Sequence, residues 1–318
     1  MIIRFLTTIV LFFLITFGFC QNLSEGTYYE DIGGLKINYT IRGNGPVMIV
    51  GHLSSGKIGY ELTLKPLEKY FTMVYYAPRG TGKSEVPKSI DAYNQYFIVE
   101  EIENLRKKLN VESIWIFGHS DQSAVALEYA LKYPKQTIGL ILTGTSLIGN
   151  QQDTYDRRAK SEKKRTQESP WFAQVVKDWD YMLEHNTQTD ANGRNLSEAP
   201  IKWWCYDGET AQKVLPIVKE ITKAGRRKPV DNQFVIETKE EREKYLEIQK
   251  QFPSIKTNIL IINGKYDTNN PPQYAEQLHK VLPNSKLVLI DYAGHFPWIE
   301  NEEETFREIE IWLKQVKM

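Results

Sequence analysis

Cysteine is nearly absent from this chain, and no charge of one sign prevails. Cys20 and Cys205 are the only two cysteines in 318 residues. That excludes a disulfide framework, and no paired-cysteine or His-Glu-x-x-His pattern offers a metal site. Basic and acidic residues number 40 each, so no electrostatic field recommends nucleic acid as a partner. No internal repeat is visible. The N-terminal apolar stretch, Phe5 to Phe19, is shorter than the about 20 residues a membrane-spanning helix needs. What remains is an ordinary globular composition, 41% hydrophobic and 25% charged, long enough for one large domain or one domain with an insertion.

Residues 1–20 are expected to be a secretory signal peptide. Arg4 supplies a positive start, the apolar stretch follows, and Gly18 and Cys20 are small residues before a cut ahead of Gln21. A lipoprotein with Cys20 modified fits less well, because Phe19 stands where a small residue is expected. Cleavage leaves 39 basic against 40 acidic residues, Cys205 as the only thiol, and no stable membrane anchor. Cys205 lies in Trp203-Trp204-Cys205-Tyr206 and reads as a packed hydrophobe.

Short β-branched runs alternate with helical patterns. Thr27 to Arg42, broken by Gly33-Gly34, reads as a β-hairpin. Further strands are expected at Met48–Val50, Thr72–Tyr76, Ser113–Phe117, Thr137–Thr143, Asn258–Asn263 and Ser285–Ile290. Continuous apolar runs of this length suit strands covered on both faces. Between them, Ile98, Ile102, Leu105 and Leu109 fall at helical spacing, as do Phe306, Ile309, Leu313 and Val316. The alternation predicts an α/β fold with a doubly wound, mostly parallel sheet. It breaks once, over residues 147–257, which read as helical and hold four of the seven tryptophans. This segment is expected to be an inserted helical cap between core segments 21–146 and 258–318.

Gly118-His119-Ser120-Asp121-Gln122-Ser123 follows one strand and opens a helix. Serine at the apex of a strand–turn–helix is a nucleophile elbow, which lifts the hydroxyl clear of the backbone and aims the next amide, of Asp121, at a developing oxyanion. The plainer alternative is a turn with Ser120 as helix N-cap. A nucleophilic serine needs a base and the base an orienting group. His295, in Ala293-Gly294-His295, follows the last strand, and Asp267, in Gly264-Lys265-Tyr266-Asp267, follows the one before. Loops at the carboxyl ends of strands are where open α/β sheets carry their sites. His52, His119, His185 and His279 fit the base less well. Asp121 as an aspartate nucleophile would put His119 and Ser123 at the crowded positions of the turn.

These residues, with Pro78-Arg79-Gly80-Thr81-Gly82-Lys83-Ser84, resemble the α/β-hydrolase superfamily in its branch of esterases and proline-iminopeptidase-like hydrolases. The likeness extends over nearly all of residues 27–318 outside the cap. It implies Ser120, Asp267 and His295 as catalytic triad, no cofactor and no metal. It also implies Gly51-His52-Leu53-Ser54-Ser55-Gly56 as oxyanion loop, with the amides of Asp121 and Leu53 as donors. Three positions depart from the family pattern: Ala77 replaces the aspartate of the Arg-Gly turn, Gln122 replaces the elbow's second glycine, and the oxyanion loop is altered. The implied reaction is acyl transfer on a small-molecule or short-peptide substrate. The chain thus reads as an exported carboxylesterase or a proline-iminopeptidase-like aminopeptidase; the alternative from another class is a catalytically silent ligand binder.

Overall fold

The computed structural model describes residues 23–146, 151–233 and 238–316, with the side chains of 151–155 left aside. The expected signal peptide, with Arg4 and Cys20, lies outside these residues. Strands β1 (Gly26–Ile32) and β2 (Leu35–Arg42) form the hairpin. They are followed by β3 (Val47–Val50), β4 (Thr72–Ala77), β5 (Ile114–His119), β6 (Thr137–Thr143), β7 (Asn258–Gly264) and β8 (Ser285–Ile290). All eight join one sheet in the order β1-β2-β4-β3-β5-β6-β7-β8. The β1–β2 and β2–β4 pairs are antiparallel, and every other pair is parallel. Every residue of β3, β4 and β5 is buried, the reason these runs read as apolar without alternation.

Outside the insertion the helices are α1 (Ile58–Thr63), α2 (Gln95–Lys108) and α3 (Gln122–Lys132). The inserted helices are α4 (Gln151–Glu168), α5 (Pro170–His185), α6 (Ala199–Trp204), α7 (Gly208–Ala224) and α8 (Lys239–Gln249). After β7 come α9 (Pro272–Val281), α10 (Pro297–Glu300) and α11 (Glu302–Gln315). One core cluster joins Ile98, Ile102, Val125 and Leu278 to strand residues. The other joins Trp298, Ile309 and Leu313 to Trp115 and Phe117. Helices therefore cover both faces, and apolar burial on each side supplies the main drive for the sheet.

Among the described residues no strand lies between Thr143 and Asn258; only isolated bridges occur there, Thr189 with Asn195 and Val230 with Gln233. The tryptophans explain why so charged a segment packs. Phe172, Val175 and Trp203 form one small nucleus with Trp171, Trp179 and Trp204 against it. Ile201, Cys205, Ala211, Val214 and Leu215 form a second. Helix α7 starts at a capping box: Asp207 accepts from the Thr210 amide at 2.7 Å, and Thr210 Oγ1 accepts from the Asp207 amide at 3.0 Å. Cys205 is buried, with its thiol pushed up by desolvation.

Candidate active site

Strand order reverses around β3: β4 lies on one side of it and β5 on the other. A crevice is expected outside the carboxyl ends of the strands at such a switch point. The loop after β3 and the turn after β5 meet there. Ser120 has φ 54°, a left-handed conformation uncommon for a residue with a Cβ. Its amide donates to Thr143 O at 3.0 Å, and its carbonyl accepts from the Ser123 amide at 2.9 Å. Asp121, not Ser120, stands at the N-cap of α3, and its side chain makes no capping bond; the N-cap alternative for Ser120 therefore fails. The turn is as crowded as the sequence implied, since a Cβ on Gly118 would lie 3.0 Å from Ser123 Cα. Gln122 is accommodated because its side chain is buried toward Tyr76 of β4, Nε2 3.5 Å from the phenol oxygen. Its Oε1 has no partner among the described residues, a cost of about 1–3 kcal/mol.

His295 and Asp267 lie on the loops after β8 and β7. His295 Nδ1 donates to Asp267 Oδ2 at 2.8 Å, and both side chains are buried. A carboxylate only accepts, so the imidazole proton sits on Nδ1 and Nε2 is left with a lone pair. Asp267 Oδ1 accepts from the Asn270 amide at 2.8 Å. Asn270 Nδ2 in turn donates to Gly144 O at 2.8 Å. Ser120, His295, Asp121 and His52 line one cavity of about 300 Å³. Its apolar wall comes from α7 through Val214, Ile217, Val218 and Ile221, and from Phe296 and Trp298. Of the two expected oxyanion donors, Asp121 opens α3 directly after Ser120. Leu53 sits in a loop closed by reciprocal His52–Gly56 backbone bonds of 3.1 and 3.0 Å. The Leu53 side chain packs on the core, while His52 and Ser54 line the cavity.

The Arg-Gly turn survives the loss of its aspartate at Ala77 by other means. Arg79 Nε donates to the buried Glu101 at 2.9 Å, and its amide to the same carboxylate at 3.1 Å. Ser84 Oγ donates to Ala77 O at 2.6 Å.

Two supports escaped the sequence reading. Arg165 of α4 is buried. Its Nη1 donates to Tyr266 O at 3.1 Å and Thr268 Oγ1 at 2.7 Å, on both sides of Asp267. Its Nη2 donates to Cys205 O at 2.9 Å and Tyr206 O at 2.7 Å. The guanidinium also sits 3.9 Å from the centre of the Phe172 ring. Burial pushes it down to about 10, so it stays charged at neutral pH. Glu300 of α10 accepts from the amides of Phe296 at 3.0 Å and Tyr206 at 2.6 Å. The His295 amide donates to Trp204 O at 2.8 Å, and a Cβ on Gly294 would lie 2.2 Å from that oxygen. Residues 203–206 are therefore wedged between the loops that carry Asp267 and His295. No local pattern marks Arg165, which is distant in sequence from everything it holds, or the reach of Glu300 to Tyr206, 94 positions away.

Two further histidines are buried at the site as neutral rings. His119 Nε2 lies 3.1 Å from His295 O, which can only accept, so Nε2 carries the proton and Nδ1 accepts from Tyr60 OH at 2.9 Å. His52 Nδ1 accepts from the Ser54 amide at 3.2 Å. Desolvation, followed by the closeness of two other imidazoles, His295 and His52, holds His119 well below the usual histidine range; desolvation, opposed by Asp121, lowers His52 to about 4. Below about pH 6.5 the unfolded chain takes up these protons before the folded one does. Their contribution is therefore complete above pH 6.5 and is lost as pH falls toward 4. The buried Glu101 and Glu300 and the half-buried Glu128, raised by desolvation, act in the opposite sense. The histidine effect is thus read as a difference: between pH 6.5 and 4, wild type should lose stability relative to His52→Asn by a few kcal/mol at most, at up to about 1.4 kcal/mol per pH unit. Parallel denaturant-midpoint curves for the two proteins would show that His52 is not held neutral.

Residues 47–302 match the family model described as alpha/beta hydrolase fold. The chain is similar to a proline iminopeptidase of Saccharolobus solfataricus, 25% identical, covering 96% of this chain and 97% of that one. It is also similar to a proline iminopeptidase of Clostridium botulinum, 24% identical, covering 95% and 99%. Among solved structures, an alpha/beta fold family hydrolase from Bacillus anthracis matches with TM-score 0.64 at 17% identity, over 90% of this chain and 98% of that one. A thermophilic esterase from Thermogutta terrifontis matches with TM-score 0.63 at 19% identity, over 93% and 100%. At such identities the solved structures speak to the fold.

Proposed function

The chain belongs to the alpha/beta hydrolase fold family, and from that premise we propose an exported serine hydrolase that cleaves a small carboxylic ester or amide. The observation that carries the reading is the convergence, on one cavity, of a serine at positive φ and a buried His295–Asp267 pair 2.8 Å apart. In the proposed mechanism His295 Nε2 takes the Ser120 proton as Oγ bonds to the substrate carbonyl carbon. The Asp121 and Leu53 amides hold the resulting oxyanion. Collapse breaks the bond to the leaving group, which takes the proton from His295. Water, deprotonated by His295, then attacks the acyl-enzyme, and Ser120 recovers its proton as the acid departs. Asp267 holds the imidazole and stabilises its charged form. The inserted helices act as the cap, since α7 walls the cavity.

A fluorophosphonate probe tests this reading, with peptide mapping of the product. Stoichiometric modification of Ser120 is expected. A folded, unlabelled protein would instead make the chain a ligand binder of the same fold. The second reading, an aminopeptidase, draws on relatives named proline iminopeptidase that align over nearly the whole chain.

Export rests on residues 1–20 alone. Among the described residues no helix is long and apolar enough to cross a membrane. Mass spectrometry of protein from its native host is expected to find an N-terminus at or near Gln21. Retained Met1 on the mature protein would end this proposal, and lipid on Cys20 would replace it with membrane anchoring.

A further inference from the structure

The charge of the cavity is set by side chains the mechanism leaves unused. Arg158 of α4 and Arg226, just beyond α7, both line it, and Asp121 is the one acidic side chain among the described residues that does. The arginines come from two different parts of the insertion. Arg158 Nε donates to Asn269 O at 2.9 Å, and Asn269 Nδ2 lies 3.5 Å from His295 Nε2. This guanidinium thus stands on the side of the base. Arg226 stands on the oxyanion-loop side, on a backbone held by three bonds. Gly82 N–H donates to Gly225 O at 2.7 Å, Arg227 N–H to Ser54 O at 2.9 Å, and Lys228 N–H to Gly80 O at 3.0 Å. Cap residues 225–228 are thereby fastened to the turn after β4 and the loop after β3. Among the described residues the ion pairs of α4 and α7 are Lys164–Glu168 and Lys223–Glu220, and neither includes Arg158 or Arg226. His52 and His119 add no charge when neutral, and the rest of the wall is largely apolar.

We propose that the substrate carries an anionic group, a carboxylate in its simplest form, beside a short apolar body, and that Arg158 and Arg226 recognise it. The inference rests on the serine-hydrolase reading. A guanidinium presents a planar fork of donors that matches a carboxylate; Arg158 is half-buried, where solvent screens it less, and Arg226 is exposed at the rim. A free α-ammonium, as an aminopeptidase substrate presents, would meet two cations against one carboxylate. The geometry favours an anion over the amine that Asp121 alone would attract.

The test compares esters of one shape and different charge. Mono-4-nitrophenyl adipate is paired with its methyl-capped diester, which places the carboxylate on the acyl side. 4-(Butyryloxy)benzoate is paired with its methyl ester, which places it on the leaving group. In at least one pair the carboxylate form should have kcat/KM about tenfold higher, a difference of about 1.4 kcal/mol. The preferred pair identifies the side. That ratio should fall about tenfold in Arg158→Gln/Arg226→Gln, fall with added salt in wild type, and rise in Asp121→Asn. Proline 4-nitroanilide should be a poorer substrate than either carboxylate ester. Preference for the capped ester in both pairs, or an unchanged ratio in the double variant, overturns the inference. A second readout needs no turnover: adipate should raise the melting temperature of wild type and not of the double variant. Ser120 labelled without any carboxylate preference removes this inference alone, whereas unlabelled Ser120 removes the serine-hydrolase reading beneath it.

Discussion

Ser120→Ala should lower turnover of 4-nitrophenyl butyrate by about 10⁴-fold or more, with fluorophosphonate labelling lost and the fold retained. The size follows from what is removed. Without Oγ no acyl-enzyme forms, and His295 has no hydroxyl to deprotonate. The residual rate comes from the oxyanion amides and the cavity acting on water. Stability should change little, because alanine keeps the Cβ and serine already bears the left-handed φ of 54°; a full left-handed penalty is about 1–2 kcal/mol and is common to both residues. Kinetics on the purified variant, with near-ultraviolet circular dichroism as the folding check, decide the matter. Wild-type turnover in the folded variant would dismiss the Ser120–His295–Asp267 assignment.

The second large effect is expected at a residue that touches no substrate. Arg165→Met removes donors to four backbone carbonyls, those of Trp203, Cys205, Tyr206 and Tyr266, and to Thr268 Oγ1. Leaving such acceptors buried and unpaired should cost about 3–5 kcal/mol in all, at about 1–3 kcal/mol for each that water cannot reach. For a domain of this size that lowers the melting temperature by roughly 2–4 °C per kcal/mol. Because two of those bonds straddle Asp267, the His295–Asp267 geometry should loosen as well. A displacement of about 1 Å in such an arrangement costs about 10²-fold in rate. The fall should appear in kcat more than in KM, and in the rate of fluorophosphonate labelling, which a purely structural weakening in a protein still folded at the assay temperature would not move. Arg165→Lys keeps the charge but cannot span both sets of carbonyls, so it should recover stability in part and kcat less. An Arg165→Met protein with wild-type melting temperature and kcat would show that the bracket carries no weight.

Arg165 and Ser120 also mark the two kinds of legibility in this chain. The strand–turn–helix around Ser120 was readable because it is local: a β-branched run, Gly118, a serine and a helix-forming stretch lie consecutively, and the crowding that demands Gly118 acts within five residues. Thr137–Thr143 and Ser285–Ile290 were readable with their observed limits for the same reason, since apolar burial leaves its period in neighbouring residues. Ser113–Phe117 was displaced, with the strand running Ile114–His119, because pairing with β6 carries the ladder through Gly118 and His119. The Gln122 departure did not tell where its side chain would go, because the space near Tyr76 belongs to a different strand.

By itself the sequence determined the strand–helix alternation and where it breaks, and it offered Ser120, Asp267 and His295, in that order, as candidates. Each of these is a property of composition and spacing within short windows, where sterics, turn chemistry and burial act between near neighbours. Only the tertiary structure decided that His295 Nδ1 meets Asp267, that Glu101 takes over support of the Arg-Gly turn, and that Arg165 and Glu300 bind residues 203–206 to the loops carrying Asp267 and His295. It also decided that Arg158 and Arg226 flank one cavity. Hydrogen bonds and charges act over a few ångströms in space, and which residues come that close is set by how the inserted helices pack across the strand ends, a relation no short window of sequence contains.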